Sequence, residues 1–319
     1  MAAPALIAGF DAGQTHTRCR LARLTADGHW HPLAEGEAGG VSHLAAPGGE
    51  ERFRSALSQS LRAAVLAAQL PEQQTLAAAA VGASGIEADT AVQRQGRALA
   101  ARALQMDPAK VTVSGDEHTA LAGAFPDGVG ILVISGTGCI ALGRRGDGSS
   151  HRCGGWGWLL DGAGSAMDIG RDGLALSVQM ADGRLPETAL RAALWRAIDA
   201  SSAQEVKAAV VAEGFGPADF ARLAPLVNAA AAAGDVQAQA VIERSALALA
   251  QMVEGVARNL DLPEPLVCGV GGALEHLGQL QLSFRQALSR HCPAAQLQDP
   301  AGDACDGALR LAAQAALRC

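Results

Sequence analysis

The sequence predicts a two-domain α/β protein, and three observations predict it. Strand-length apolar runs alternate with segments of helical periodicity through roughly the first third of the chain, the pattern of a layered α/β domain. A strand–turn–strand unit at residues 130–145 weakly echoes one at residues 7–24. At 319 residues, 49% of them hydrophobic, the chain is longer than one core usually organises and apolar enough to fill two.

The elements follow in order. "IAGF" and "TRCRLARL" flank "DAGQ", which reads as a hairpin of two strands about a glycine turn. "EERFRSALSQSLRAAVLAAQ" spaces Phe53, Leu57, Leu61, Ala64, Val65 and Ala68 three or four apart, so it is an amphipathic helix. "TLAAAAVGASGI" is a short buried strand running into a glycine turn. A helix over 90–105 leads to "KVTVSGD", a strand ending on Asp116, and "EHTALAGAF" leaves it as a helix. "GILVISGTGCIALGRR" is the second hairpin. From about 166 to 260 the chain is largely helical, punctuated at "ADGRLPE", "GFGPADF" and "AAGD". "PEPLVCGVGGALEHLGQL" returns to strand, glycine turn and helix, and "GDACDGALRLAAQAALR" is a closing helix. No linker rich in proline, serine or charge separates the halves, which places the domain boundary near 118–125.

Charge and composition exclude several classes. The formal charge is −7 and no lysine- or arginine-rich run occurs, so a phosphate-backbone partner such as nucleic acid is not expected. No apolar run approaches the roughly 20 residues of a membrane span. The first residues lack the basic flank of a secretory leader, and the expected compartment is cytoplasmic. Seven cysteines, at 19, 139, 153, 268, 292, 305 and 319, include no CxxC pair. They signal neither a zinc site nor a disulfide framework and read as small buried residues.

The chemistry-bearing features are three glycine-rich turns and two carboxylates. Each turn follows a strand, and glycine there lets backbone N–H groups approach an anion, as in phosphate cradles. Each alone is also compatible with an ordinary hairpin or strand-to-helix turn, and none is a Walker loop or a GxGxxG opening a helix. Asp11 stands at the first turn, where a carboxylate either caps its own backbone or faces a ligand. Asp116 ends a strand and opens a helix, which suits a helix N-cap and a projecting general base alike. Glu117 reads as a surface residue, and His16 and His118 as polar surface or turn residues.

Taken in order, "FDAGQTHT", "SGDEHTALAGAF", "ISGTGCIALG", "GGWGWLLDGAGSAMDIGRDGL", "VCGVGGALEHL" and "GDACDGALRLA" resemble the BadF/BadG/BcrA/BcrD-type ATPase family. Within it the chain is most similar to the N-acetylglucosamine and glucosamine kinases of the actin-like sugar-kinase superfamily. The resemblance implies two actin-like (ribonuclease H-like) domains, each a mixed five-stranded sheet flanked by helices, with an interdomain cleft. Residues 1–120 would form the first domain, 121–302 the second with a helical insertion, and 303–319 a terminal helix returning to the first. It further implies ATP and Mg²⁺ as cofactors, phosphorylation of an amino sugar at its 6-hydroxyl, and a homodimer.

Carried over residue by residue, the resemblance makes Asp116 the catalytic base. Asp11 would help hold the metal, usually through water. Gly13, Thr15, Thr17, Gly136, Thr137 and Gly138 would face the phosphates, and Gly269, Gly271 and Gly272 the adenosine. Gly40, Ser42, His43, Ser84, Asp116, Trp156 and Asp161 would meet the sugar, although a buried structural role for Trp156 and Trp158 is equally compatible with the sequence. Two departures touch the sugar side. "GGVSH" has His43 where similar kinases have an asparagine, and the acid after "GGWGWLL" is Asp161, one residue before the family position, which here is Gly162. Two other readings of the resemblance are an ATPase that activates 2-hydroxyacyl-CoA dehydratases through an iron–sulfur cluster shared by two subunits, and a nucleotide-binding regulator without catalysis. The surrounding signature of the activators is absent, and Cys153 sits inside the kinase-like "CGGWGW".

Overall fold

The computed structural model describes residues 5–318. The described residues divide into two compact units, one running to residue 128 and resuming at residue 300, the other spanning residues 129–299. The sequence reading set these limits at 120 and 302; the first unit runs on because the helix opened by Asp116 ends only at Ala124 and packs within that unit.

In the first unit, β1 (Ala5–Ala12), β2 (His16–Leu24) and β3 (Trp30–Gly39) form an antiparallel meander. Helix α1 (Gly49–Ala67) crosses to β4 (Leu76–Ala83), and α2 (Ala91–Ala103) to β5 (Val111–Ser114). Both later strands are parallel, giving the order β3-β2-β1-β4-β5. The sequence follows the burial: β4 reads "LAAAAVGA" because it is covered on both faces, whereas edge strand β3 is largely exposed and polar. Period-two alternation sorts the side chains. Ala8 and Phe10 enter one core with Phe53, Leu57 and Leu99, while Ile7, Ala78 and Ala80 face Ala308, Leu309 and Ala312 on the other side. Helix α3 (Asp116–Ala124) follows β5 after one residue.

The second unit repeats this topology. Strands β6 (Gly130–Ser135), β7 (Cys139–Arg144) and β8 (Ser150–Gly154) form an antiparallel meander. A helical run follows: α4 (Ala166–Ala181), α5 (Ala189–Ala197), α6 (Ala203–Val211), α7 (Pro217–Ala221), α8 (Ala224–Ala232) and α9 (Val236–Asn259). Parallel strand β9 (Leu266–Val270) comes next, then α10 (Gly272–His276), α11 (Gly278–His291) and the short parallel β10 (Gln296–Leu297). The order is β10-β9-β6-β7-β8. Each sheet is therefore mixed and five-stranded, a meander followed by two parallel crossovers, as the resemblance implied. No helix among the described residues is long and apolar enough to cross a membrane.

Helix α12 (Ala304–Arg318) completes the first unit, and its seat is made by glycine. A Cβ on Gly9 of β1 would lie 2.6 Å from the Leu309 nitrogen and 2.7 Å from the Cys305 oxygen. A Cβ on Gly307 would meet the Gly123 nitrogen of α3 at 2.5 Å. Backbone thus lies directly on backbone, and neither side has a side-chain tip that could yield. Gly307→Ala is expected to destabilise the protein by about 2 kcal/mol or more despite alanine's better helix propensity, because whole elements must separate. Gly136→Ala, where a Cβ would meet nothing within 4 Å, is the comparison variant and should stay within about 0.5 kcal/mol. Urea unfolding of both variants checks this.

Candidate active site

In the first unit the carboxyl ends of β1, β4 and β5 bring the predicted residues together, the usual ligand-facing side of a parallel sheet. The turn after β1 is closed by the Gly13 N–H donating to the His16 carbonyl at 3.0 Å. The neighbouring loops are zipped to it: the Val41 N–H donates to Gly13 O at 2.9 Å, and the Ser84 N–H to Ala12 O at 3.0 Å. Gly40 lies against the Gln14 carbonyl so closely that a Cβ has no room. Gly13, Thr15, Gly40, Ser42, His43 and Ser84 therefore share one rim. His43 is exposed, its ring over Gly85, and its Nδ1 accepts from the Ala45 N–H at 3.2 Å, leaving the Nε2 edge free to meet a ligand.

Asp11 is half-buried, cross-strand from Arg18 in the β1–β2 register, and its Oδ2 lies 2.9 Å from Arg18 Nη2. Thr15 is exposed, whereas Thr17 is fully buried. The hydroxyls of Thr17 and Ser42 are buried without a hydrogen-bond partner among the described residues. Orphaned buried hydroxyls are uncommon in a finished core, and these two belong to the residues implied to face phosphate and sugar.

Asp116 is the first residue of α3, and Gly115, not Asp116, occupies the N-cap position. The Asp116 carboxylate accepts from the Glu117 N–H at 3.1 Å. Burial, then the hydrogen bond and charge of Glu117, then the charge of Asp11 push its carboxyl up to about 7. A carboxyl so placed can exchange a proton near neutral pH, as a general base must. Glu117 is not the surface residue the sequence suggested. Its carboxylate is largely buried over Gly115, a position that exists only because α3 turns back against the strand ends. His118 likewise is half-buried, with Nε2 3.9 Å from Glu117, and not a surface or turn residue.

In the second unit the GTG turn joins β6 to β7. The Ser135 hydroxyl donates to Gly164 O at 2.7 Å, the Gly136 N–H to Gly138 O at 2.8 Å, and the Ala166 N–H to Gly136 O at 2.8 Å. Thr137 and Gly138 are exposed, and neither Gly136 nor Gly138 has a neighbour where a Cβ would stand. Crowding does not require glycine there; the space above the turn is open, as a phosphate cradle needs. Gly271 is different: it has φ +95° and presses on the Ser135 carbonyl, where a Cβ would lie at 2.6 Å. Conformation and packing both demand it, so the turn holding Gly269, Gly271 and Gly272 is built against the GTG turn.

Asp161 is half-buried beside Gly154, and its neighbours Gly162 and Ala163 accept from the Cys139 thiol. Trp156 and Trp158 are 60% and 39% exposed, which overturns a buried structural role. The Arg152 guanidinium stacks over Trp156 at 4.5 Å. The described cysteines are all free, and most are buried as expected.

Sequence reasoning missed Arg18, Arg20, Asp303, Asp306 and Asp168. Asp303 and Asp306 cap α12 reciprocally, each side chain accepting from the other's N–H; Asp303 also binds Arg18 and Arg20 of β2, and Asp306 binds Arg20. The i, i+3 acids in "GDACDGA" were a legible cap, but their partners lie about 285 residues away. Asp168, 1% exposed, pairs with Arg171 and Arg244 in the first turn of α4, whose Ala166 N–H holds the GTG turn.

Among the described residues no cluster of three or more His, Cys, Asp or Glu could by itself hold a metal ion. Asp11 and the threonine hydroxyls are hard oxygen donors, which fit a cation that shares its shell with water and a nucleotide.

A model of the BadF/BadG/BcrA/BcrD ATPase family matches residues 8–312. The chain is 29% identical over 205 residues to an N-acetylmuramic acid/N-acetylglucosamine kinase of Clostridium acetobutylicum, a match covering 64% of this chain and 67% of that protein. It is 31% identical over 192 residues to an N-acetyl-D-glucosamine kinase of Dictyostelium discoideum, covering 57% and 59%. A solved structure from Chromobacterium violaceum, provisionally assigned as an N-acetylglucosamine kinase, superposes with a TM-score of 0.74 at 30% identity, over 98% of this chain and 99% of that one.

The raised Asp116 carboxyl has a consequence for stability. The folded state binds its proton more tightly than the unfolded chain, whose value is near 3.8. Between about pH 4 and pH 7 the native protein thus holds more protons than the unfolded one, and stability falls as pH rises through that window. Asp116→Asn removes this penalty, so its stability relative to the parent should grow from pH 4 to pH 7 and level off above, by roughly 4 kcal/mol at the ceiling. Chemical denaturation across pH checks it; a difference that is flat with pH would contradict the assigned shift.

Proposed function

The chain belongs to the BadF/BadG/BcrA/BcrD ATPase family, and on that premise we propose that it is an ATP-dependent sugar kinase. Its substrate is an N-acetylglucosamine-type amino sugar, N-acetylglucosamine or glucosamine, phosphorylated at the 6-hydroxyl. The observation that carries the reading is Asp116, a half-buried carboxyl pushed to about 7 at the start of α3, beside the Asp11 turn. Phosphoryl transfer requires that the accepting hydroxyl be oriented and relieved of its proton, and that phosphate charge be met by donors already in place.

Asp116 orients the sugar hydroxyl and receives its proton. The turns carrying Gly13, Thr15 and Thr17 in the first unit, and Gly136, Thr137 and Gly138 in the second, face the phosphates, with the exposed Thr15 and Thr137 offering their hydroxyls. The turn with Gly269, Gly271 and Gly272 lies along the nucleotide. Asp11 carries the metal requirement, for which Mg²⁺ is suited; when bound it offsets phosphate charge and bridges phosphate oxygens. A panel of amino sugars and hexoses with coupled ADP detection tests the function. Sugar-dependent ADP release is expected, and its absence on every sugar sinks the kinase reading. Asp116→Asn should lower turnover by about 10²- to 10⁴-fold, nearer the lower end because a loose transition state asks less of its base. Turnover within a few-fold of the parent would remove Asp116 from the role.

On the sugar side, Gly40, Ser42, His43, Ser84, Trp156 and Asp161 form the contacts, and His43 with the shifted acid Asp161 retunes the pocket away from strict N-acetylglucosamine preference. His43→Asn restores the family-like residue, as does the pair Asp161→Gly with Gly162→Asp. A Cβ at position 162 would crowd the tip of Met167, a flexible neighbour, and otherwise make ordinary contact with the Trp158 backbone at 3.5 Å. Relative kcat/KM among amino sugars should shift by about tenfold or more, the usual worth of one altered polar contact. Equal losses on all sugars would mean damaged packing instead.

A further inference from the structure

Strand β2 carries Arg18 and Arg20 two residues apart, hence on one face, aimed at the first turn of α12. Arg20 is committed to three carboxylates, Glu35, Asp303 and Asp306. Arg18 reaches in two directions: Nη1 lies 3.0 Å from Asp303 Oδ2, and Nη2 lies 2.9 Å from Asp11 Oδ2. Asp11 also adds its charge to the field that Asp116 feels, together with Glu117. This end of the first unit thus gathers Asp11, Glu35, Asp116, Glu117, Asp303 and Asp306, against which these contacts set only two guanidinium groups.

Such a site poses a difficulty for the proposed reaction. A magnesium–nucleotide complex is a net anion at neutral pH, and a rim of carboxylates repels it. Arg18 is part-exposed, at 29%, so it is not sealed in the core, and it holds Asp11 through Oδ2 alone.

We propose that Arg18 is a positioning residue for nucleotide binding: it fixes the Asp11 carboxylate and supplies the positive charge that lets this carboxylate-lined turn accept an anionic magnesium–nucleotide complex. The proposal rests on the kinase reading above. Positioning and charge act in the same direction, since loss of Arg18 frees Asp11 to rotate and leaves the rim more negative. Arg20, bound to the same helix cap but not to Asp11, contributes to stability and little to nucleotide affinity.

Titration calorimetry of the full-length protein with Mg–ADP, without sugar, tests this. Arg18→Met is expected to weaken binding by about tenfold or more, the scale of one unit charge at a few ångströms in a part-exposed site. Arg18→Gln should do the same, and it keeps the test decisive if the methionine variant does not fold, because it retains a hydrogen bond but no charge. Arg18→Lys should recover most of the affinity. Arg20→Met should lower the unfolding midpoint yet keep affinity within about twofold. The sugar KM of the Arg18 variants should stay near the parent's. Parent-like Mg–ADP affinity in a folded, neutral Arg18 variant, or an equal loss in Arg20→Met, overturns the inference. A parent that binds Mg–ADP but phosphorylates no sugar would refute the kinase reading and leave the Arg18 result standing.

Discussion

The crowding of negative charge at the carboxyl end of the first sheet is the constraint on which the rest of that unit depends. Asp11 and Asp116 stand at the carboxyl ends of β1 and β5, with β4 between them, and Glu117 lies folded over Gly115 beside Asp116. Like charges in a half-buried setting are tolerated only if some are neutralised by cations and others by protons. Both occur here. Arg18 and Arg20 take the Asp11 and α12 carboxylates, and Asp116 is held toward its protonated form. Asp303 is used twice, as a cap for α12 and as an acceptor for both arginines. Burial alone would raise its carboxyl, but the Asp306 amide and the two guanidinium groups hold it below the ordinary carboxylate range. Local helix chemistry and site electrostatics are one arrangement.

The two units share one topology but differ in the chemistry they present. Each unit runs a meander into two parallel strands, so the turn between the first two strands and the end of the fourth fall at the same edge of the sheet. In the first unit that edge presents carboxylates, suited to a base and a metal. In the second it presents small residues and backbone N–H groups, and the nearby acids are Asp161, the arginine-paired Asp168, and Glu275, which accepts from the Gly271 N–H. Part of the difference arises at equivalent turns, "DAGQT" after β1 and "SGTG" after β6, and part from Asp116 and Glu117 at the start of α3.

The segment from Gly155 to Leu160 shows why exposure has to be read from structure. A stretch containing two tryptophans and two leucines looks like core, yet all four are exposed, stretched between Gly154 at φ +77° and the tether of Ala166 to the GTG turn. One end is tied to the GTG turn by the Ala166 N–H and the other follows the pairing of Gly154 with Ile140 of β7, so the apolar segment is held at the surface and not in the interior.

Strand and helix placement, the two hairpins, the repeated α/β pattern and the ordered set of glycine turns were legible in the sequence, because burial on one or two faces imposes a period on neighbouring residues. The candidacy of Asp11 and Asp116 was legible too, but only through the ordered set of motifs, since either acid alone suits a turn or a helix cap. What the sequence could not reveal is everything set by meetings between distant residues. Arg18 and Arg20 looked like the polar face of a strand until Asp303 and Asp306 arrived from the far end of the chain. Glu117 and His118 looked like surface until α3 folded back on the strand ends. Thr17 and Ser42 appeared as equals of Thr15 until packing buried their hydroxyls without partners. Local periodicity is written in a few adjacent residues, but charge balance, burial of polar atoms and the protonation of Asp116 depend on which elements touch, and that was decided only when α12 settled onto the glycines of β1 and α3.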